Sequence, residues 1–144
     1  MCLRHVGPPT TRSLDAYRAG LFDGEGSISA SKRPSGAGAA LGLSMTSTTP
    51  ELLRPFLVYG GRISQRPQRQ VERSFGKKPQ FVWTAWSKDA HWSLTRMLPW
   101  LRRLRKRAKA GLAILQATAP NGEHLTGHQK SVIARACRTF KGVK

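Results

Sequence analysis

Two acidic residues, Asp23 and Glu25, stand two positions apart in residues 18–26, RAGLFDGEG, where a predicted helix ends. They are two of only seven Asp and Glu residues in a chain with 25 Lys and Arg. Unsatisfied carbonyl groups give a helix C-terminus partial negative charge, so carboxylates placed there cost stability unless a cation balances them. A divalent metal is the natural cation, because Mg²⁺ and Ca²⁺ prefer carboxylate and carbonyl oxygens. The pair therefore predicts a metal site.

The two carboxylates differ in how well a purely structural role explains them. A cap or turn hydrogen bond is a fair explanation of Asp23. Glu25 lies between Gly24 and Gly26, where the sequence changes from helical to strand periodicity. A structural role explains it less well, and Glu25 is the stronger candidate for chemistry.

Other kinds of enzyme site are not apparent in the sequence. It contains no Gly-x-Ser-x-Gly element, no phosphate-binding P-loop and no dinucleotide fingerprint. The four histidines show no zinc-ligand spacing with the cysteines. They are His5, His91, His124 and His128.

Composition and charge restrict the class of partner. The 144 residues suit one domain with its own core, and the net charge of +18 predicts a polyanionic partner. Nucleic acid is the first expectation, and an anionic membrane surface is the alternative. No apolar run approaches the ~20 residues of a membrane span, and the first residues lack a signal-peptide pattern. Cys2 and Cys137 have no metal-ligand spacing, so we expect free thiols and a cytoplasmic location.

The helix that carries the acidic pair is predicted to start near Ser13, a plausible N-cap. Its apolar face is predicted to hold Leu14, Tyr17 and Leu21. A second stripe, Ala16, Gly20 and Gly24, recurs every four residues, and such small side chains let another backbone approach closely. That backbone could belong either to the chain's own sheet or to the same helix of a second copy.

The rest of the chain alternates between strand and helix patterns. Period-two alternation predicts strands at 27–31, 41–46, 62–66 and 80–86, the first two forming a hairpin. Helical signals predict a short helix from Thr49 and helices at 87–97, 99–117 and 126–140. The order α-β-β-α-β-β-α-α indicates an α+β fold, a four-stranded antiparallel sheet backed by helices. We expect a flexible leader at 1–12, the domain at 13–118 and a basic helix or tail at 119–144.

The outer face of this sheet is predicted to carry short hydroxyl side chains and arginines, with few apolar members. Such a face suits base edges and phosphates in the major groove of DNA, although an ordinary solvated face has a similar pattern. Basic residues of the flanking loops favour the nucleic-acid interpretation. The candidate DNA contacts are Ser29, Ser31, Lys32, Arg33, Ser44, Thr46, Arg62, Ser64, Arg66, Arg69, Lys77, Lys78, Gln80 and Thr84.

Residues 18–26, RAGLFDGEG, resemble the signature of the LAGLIDADG homing endonucleases, in the branch that carries one motif per chain. Arg18 replaces the leading leucine. The resemblance extends over roughly residues 13–117 and includes Gly60-Gly-Arg-Ile63 and Leu98-Pro-Trp-Leu101. It implies the fold order α-β-β-α-β-β-α and a homodimer bound to double-stranded DNA.

The resemblance also implies roles for individual residues. Glu25, helped by the Gly24 carbonyl, is implied to bind Mg²⁺ (or Mn²⁺), and Ser47 to orient water. The family's basic residue falls at Leu104, so the flanking Arg103 and Arg105 are expected to take its role. The implied dimer contacts are Ala16, Ala19, Gly20 and Asp23.

The expected function is therefore a Mg²⁺-dependent DNA endonuclease that acts as a homodimer and makes double-strand cuts at a long recognition site. The alternative is a non-cleaving nucleic-acid-binding protein of the same fold, such as an intron-splicing cofactor or a regulator.

Overall fold

The computed structural model describes residues 11–32, 39–67, 69, 78–117 and 126–143. The regular elements in these residues follow the predicted order, but the helix predicted from Thr49 is 3-10 and the helix predicted at 99–117 is interrupted. They are α1 (Thr11–Glu25), β1 (Gly26–Lys32), β2 (Ala39–Ser47), the 3-10 helices Pro50–Leu52 and Arg54–Tyr59, β3 (Arg62–Gln65), β4 (Phe81–Trp86), α2 (Lys88–Met97), the 3-10 helix Leu98–Trp100, α3 (Arg105–Ala117) and α4 (Gly127–Gly142).

The described strands form one antiparallel sheet of four strands in the order β1-β2-β4-β3. β1 and β2 are the predicted hairpin, with Gly26 opposite Met45 and Lys32 opposite Ala39. β4 pairs with β2 on one side and with β3 on the other. The α+β fold class is confirmed.

One face of the sheet is apolar and carries the helices. Trp83, fully buried in β4, lies at its centre, 5.0 Å from the Phe56 ring and 6.4 Å from the Phe22 ring, measured between centroids. Phe22 comes from α1, the helix that carries most of the RAGLFDGEG motif, and Phe56 comes from the second 3-10 helix. This aromatic cluster therefore attaches α1, the motif helix, to the sheet.

The buried face of α1 differs from the predicted one. Tyr17 is 52% exposed, and the buried residues are Asp15, Arg18, Ala19 and Phe22. The helix also begins at Thr11, so Thr11 and Arg12 do not belong to a leader; residues 1–10 lie outside the described part of the chain.

Partners far along the chain explain why charged residues occupy that face. The Asp15 carboxylate accepts a hydrogen bond from the Tyr59 hydroxyl and forms ion pairs with Arg96 at 2.7 Å and Arg18 at 3.6 Å. Arg18 also donates through Nε to the Pro55 carbonyl at 2.7 Å. Buried charges are tolerated when they are paired in this way. Arg18, the departure from the family signature, is thus part of the helix's packing.

The predicted helix 99–117 is interrupted in the structure. A 3-10 turn occupies Leu98–Trp100, and the α-helix starts again only at Arg105. The backbone N–H groups between the two segments are hydrogen-bonded to Asp23, which is described with the site below.

The C-terminal helix α4 begins with a capping box between Thr126 and Gln129. Its residues Ile133, Cys137 and Phe140 belong to the same hydrophobic core as the sheet. Arg107 of α3 donates to the carbonyls of Ile28 at 3.0 Å and Val143 at 2.7 Å. The segment predicted as a basic helix or tail therefore contains a helix, and that helix contributes to the core. No helix in the described ranges is long and apolar enough to cross a membrane.

Candidate metal site and nucleic-acid interface

Glu25 is the last residue of α1, and its side chain is exposed. Its carboxylate makes no hydrogen bond or ion pair with any other described residue. The next residue must be glycine, because a Cβ on Gly26 would lie 2.3–2.5 Å from the Phe22 ring and carbonyl oxygen. The buried Phe22 thus fixes the point where helix gives way to strand, and with it the position of Glu25.

Asp23 has a different role from Glu25. Its two carboxylate oxygens accept hydrogen bonds from the backbone N–H groups of Leu104 at 2.8 Å, Arg103 at 2.9 Å and Arg102 at 3.3 Å. Partial burial raises the pKa of Asp23, but these three hydrogen bonds and the Arg103 charge together lower it below its ordinary value. The carboxylate occupies the start of α3 as a cap supplied from another element.

The Arg103 guanidinium is bound to the end of α1. It donates through Nε to the Asp23 carbonyl at 2.6 Å and through Nη2 to the Gly26 carbonyl at 3.4 Å. A cation at a helix C-terminus neutralises the partial negative charge there. Arg103, predicted as a catalytic residue, therefore binds backbone carbonyls of its own chain. Leu104 is buried in the core, whereas Arg105 is exposed and, among the described residues, has no hydrogen bond to the end of α1 such as Arg103 makes.

The oxygens at the end of α1 are of the kind that a divalent metal binds, but they are too few to hold it alone. Among the described residues there is no group of three or more His, Cys, Asp or Glu that could hold a metal ion. Mg²⁺ is often bound by one or two carboxylates, with water and substrate phosphates completing an octahedron. The free carboxylate of Glu25 and the adjacent Gly24 carbonyl, on an exposed residue, supply oxygens of the right kind.

Ser47 ends β2 and is half-buried. Its hydroxyl oxygen accepts a hydrogen bond from the Thr49 N–H at 3.0 Å. The hydroxyl retains its own proton to donate, which a residue that orients water needs.

The outer face of the sheet carries the predicted polar side chains. One row across all four strands contains Ser27, Ser44, Thr84 and Arg62, which are neighbours in register. Ser29, Ser31 and Ser64 are exposed, and Thr46 is half-buried beside Arg66, which donates to its hydroxyl at 3.3 Å. The face presents donors and acceptors of the kind that contact base edges.

Some predicted DNA contacts have other positions. Gln80 is only 6% exposed, so its side chain is almost entirely shielded from water. Arg69 and Lys78 are exposed at the two sides of the β3–β4 connection. Arg33, Lys77 and the side chain of Lys32 lie outside the described residues.

The sequence analysis missed Trp86, the last residue of β4. It is 52% exposed and shares the outer face with Thr84, two residues earlier. The same period-two alternation that placed Thr84 outward predicts Trp86 there, so the signal was available.

The small-residue stripe of α1 is largely on the surface. Gly20 and Gly24 are exposed, and a Cβ on either would meet no atom of the described chain within 4 Å. Ala16 is half-buried. Ala19, also predicted as a dimer contact, is fully buried in the core, and Asp23 is occupied by α3. The exposed part of the stripe is thus Gly20 and Gly24, and Ala16 is half-buried.

Comparison with known proteins connects this geometry to a fold. No protein-family profile and no curated protein matches the sequence. Among solved structures, the homing endonuclease I-CvuI in complex with its target in the presence of Ca matches with a TM-score of 0.65 and 22% identity, over 92% of this chain and 81% of that one. I-CvuI in complex with the I-CreI target in the presence of Mg, a structure in which the DNA is not cleaved, matches with a TM-score of 0.64 and 21% identity, over the same shares of the two chains.

An archaeal intron-encoded homing endonuclease, I-Vdi141I in complex with DNA, matches with a TM-score of 0.65 and 16% identity, over 90% of this chain and 83% of that one. The chain has the fold of the homing endonucleases. The resemblance drawn from the LAGLIDADG-like residues is thereby confirmed at the level of the fold.

Proposed function

We propose that this protein is a homodimeric, Mg²⁺-dependent DNA endonuclease that cuts both strands of a long, partly palindromic site. The observation that carries the proposal is the exposed carboxylate of Glu25, unpaired within the described chain, at the end of the motif helix. It occurs in a chain of net charge +18 with the homing-endonuclease fold. The complexes of the structural neighbours with DNA, and the Ca or Mg present with them, support DNA and a divalent metal as partners.

Dimerisation is part of the proposal because one chain supplies only part of a metal site. Two copies of α1 packed through Gly20 and Gly24 would approach closely, since neither glycine has a neighbour that fills the space beside it. The proposal takes the two helices to run parallel, which places both copies of Glu25 at the same end of the helix pair. Two carboxylates, two carbonyls and the scissile phosphates are an appropriate ligand set for Mg²⁺.

The chain's own residues would have separate roles in metal binding, in positioning, and in contacts with phosphate and water. Glu25 and the Gly24 carbonyl hold the cation, which when bound lowers the pKa of water and stabilises charge on the phosphate. Asp23 and Arg103 lock the end of α1 against α3, so the Glu25 carboxylate starts from a fixed backbone. Arg105 is one of the exposed cations available for the phosphate, and Ser47 is the hydroxyl available for water.

The outer sheet face would enter the major groove, which admits a β-ribbon. Arg62 and the hydroxyls beside it would contact base edges, and Arg69 and Lys78 would contact phosphates from the strand connection. Phosphate contacts position the protein, whereas base contacts select the sequence.

A selection from a random duplex library tests this proposal. Purified protein is incubated with the library in Mg²⁺, and cleaved molecules are captured and sequenced. We expect enrichment of one partly palindromic sequence with wild type and none with Glu25→Gln, while Glu51→Gln, an exposed acid far along the chain, cuts like wild type. Failure of wild type to enrich any cleaved sequence would refute the endonuclease.

One observation favours a second function, a nucleic-acid binder that does not cleave. Leu104 occupies the position of the family's basic residue and is buried, and Arg103 is engaged with backbone carbonyls. A specific site recovered by binding without Mg²⁺, and left intact when Mg²⁺ is added, would identify this second function.

A further inference from the structure

Trp86 is a large aromatic side chain on a face made mainly of hydroxyl groups and arginine. It stands directly opposite Gly42 in the register of β2 and β4. A Cβ on Gly42 would lie 2.6–2.8 Å from three carbons of the six-membered indole ring. The ring therefore covers the space above Gly42, and 52% of the residue remains exposed.

A structural role explains only one side of this ring. An aromatic residue across from a strand glycine shields the glycine backbone, which stabilises the strand pair. The same role leaves the other side of the ring open to water, at the end of β4 on a face that otherwise offers hydrogen bonds. The position on the sheet face, rather than exposure alone, distinguishes Trp86 from Trp92, which is equally exposed, at 51%, on α2.

We infer that Trp86 is a specificity residue that selects thymine in the DNA target. The inference rests on the proposed function, in which this face lies in the major groove. Within that groove, adenine, guanine and cytosine present hydrogen-bond donors and acceptors, and the 5-methyl group of thymine is the one strongly apolar group. An indole ring has a single donor and no acceptor, so opposite any other base it would remove water from polar groups without replacing it.

The residues around Trp86 support a thymine contact rather than base stacking. Ser29 lies opposite Gly42 on β1, and its hydroxyl is directed at the Gly42 carbonyl at 3.4 Å. Gly42, between Ser29 and Trp86, lets the ring lie close to the strand backbone, because any larger side chain there would displace the ring. The ring is thus seated against the sheet and presents its open side outward, which suits contact with a methyl group in an intact duplex.

The test compares DNA-binding preferences in the absence of Mg²⁺, so that it does not depend on cleavage. Duplexes from a random library are selected with wild type, Trp86→Ser, Trp86→Phe and the matched control Trp92→Ser. We expect wild type, Trp86→Phe and Trp92→Ser to require thymine at one symmetric pair of positions. With Trp86→Ser that requirement should be lost, and the preferences at the other positions should stay.

A second arm isolates the methyl group. Uracil replaces the selected thymines, which removes only the 5-methyl groups. Removing one buried methyl is expected to weaken binding by about fourfold per half-site. This loss should appear with wild type and Trp92→Ser and be absent with Trp86→Ser.

The outcomes separate this inference from the proposed function. Two results would overturn the role of Trp86 and leave the proposed function standing. One is a thymine preference that is unchanged in Trp86→Ser. The other is a loss of affinity on uracil substitution that is equal in wild type and Trp86→Ser. Failure of wild type to select any site would overturn both. If Trp86→Ser does not fold, the uracil substitution with wild type still decides, since equal affinity for uracil and thymine contradicts the methyl contact.

Discussion

Asp23→Ala should destabilise the protein at the junction of α1 and α3. The carboxylate accepts three backbone hydrogen bonds of 2.8–3.3 Å at the start of α3. Loss of a helix cap costs about 1 kcal/mol, and charge-assisted hydrogen bonds add to it, so we expect a loss of about 2–3 kcal/mol. Asp23→Asn retains acceptor oxygen but not charge, and should lose about 1 kcal/mol.

The pH dependence of that loss carries a definite sign. The folded-state pKa of Asp23 is lower than its ordinary value, so its stabilisation is fully present above the pKa of an unfolded aspartate, about 4. The stabilisation is lost as the pH falls through the lower, folded-state pKa. Wild type and Asp23→Ala should therefore differ most near neutrality and converge in strong acid.

Urea unfolding followed by circular dichroism measures these effects. At neutral pH the midpoint of Asp23→Ala should fall by about 1 M urea. The control Glu51→Ala, at an exposed acid, should stay within about 0.5 kcal/mol of wild type. The shift should be the same at two protein concentrations, because the cap lies within one chain. A shift no larger than that of Glu51→Ala, or one that appears only at concentrations where the protein dimerises, would refute the intrachain cap.

Three further predictions address the dimer, the DNA face and the C-terminal helix. Gly20→Leu should leave the monomer's unfolding free energy nearly unchanged, because the site is open, but should reduce dimerisation in sedimentation experiments. The control Gly127→Leu, at an equally open site on α4, should leave dimerisation unchanged. A dimer unaffected by Gly20→Leu would show that the α1 stripe is not the dimer contact. Lys78→Ala should lower the slope of log affinity against log salt by about 1 per half-site, whereas Arg54→Ala should not, and equal slopes would remove Lys78 from the phosphate contacts. Arg107→Lys should weaken the packing of α4 by about 1–2 kcal/mol, measured as faster amide hydrogen exchange at Ile133. The control Lys109→Gln should exchange like wild type. Equal exchange in Arg107→Lys and wild type would contradict the role of the guanidinium.

The sequence predicted the elements well because their signals are local. Hydroxyl residues alternate with apolar ones in β1 and β2, and the structure has both strands and their hairpin. Of the two acids, only Asp23 forms side-chain hydrogen bonds to the rest of the described chain, and the chemical role of Glu25 stays a prediction.

The errors arose where partners are distant in the chain. Asp15 and Arg18 look like surface residues until Tyr59 and Arg96 are placed beside them, and this pairing turns Tyr17 outward. The break before α3 depends on Asp23, about 80 residues earlier in the chain, and no periodicity within 99–117 could have revealed it. Gln80 is a different case: it lies just before β4 begins at Phe81, and alternation within β4 does not predict how deeply it is buried.

The central claim is that Glu25 carries metal-dependent cleavage, and a plasmid with the selected site tests it most directly. Supercoiled plasmid is incubated with protein and Mg²⁺, and binding to the same site is measured in parallel. We predict that wild type and Glu51→Gln convert the plasmid to linear DNA, while Glu25→Gln binds the site with similar affinity and leaves the plasmid intact. Linear DNA produced by Glu25→Gln at the wild-type rate would contradict the claim.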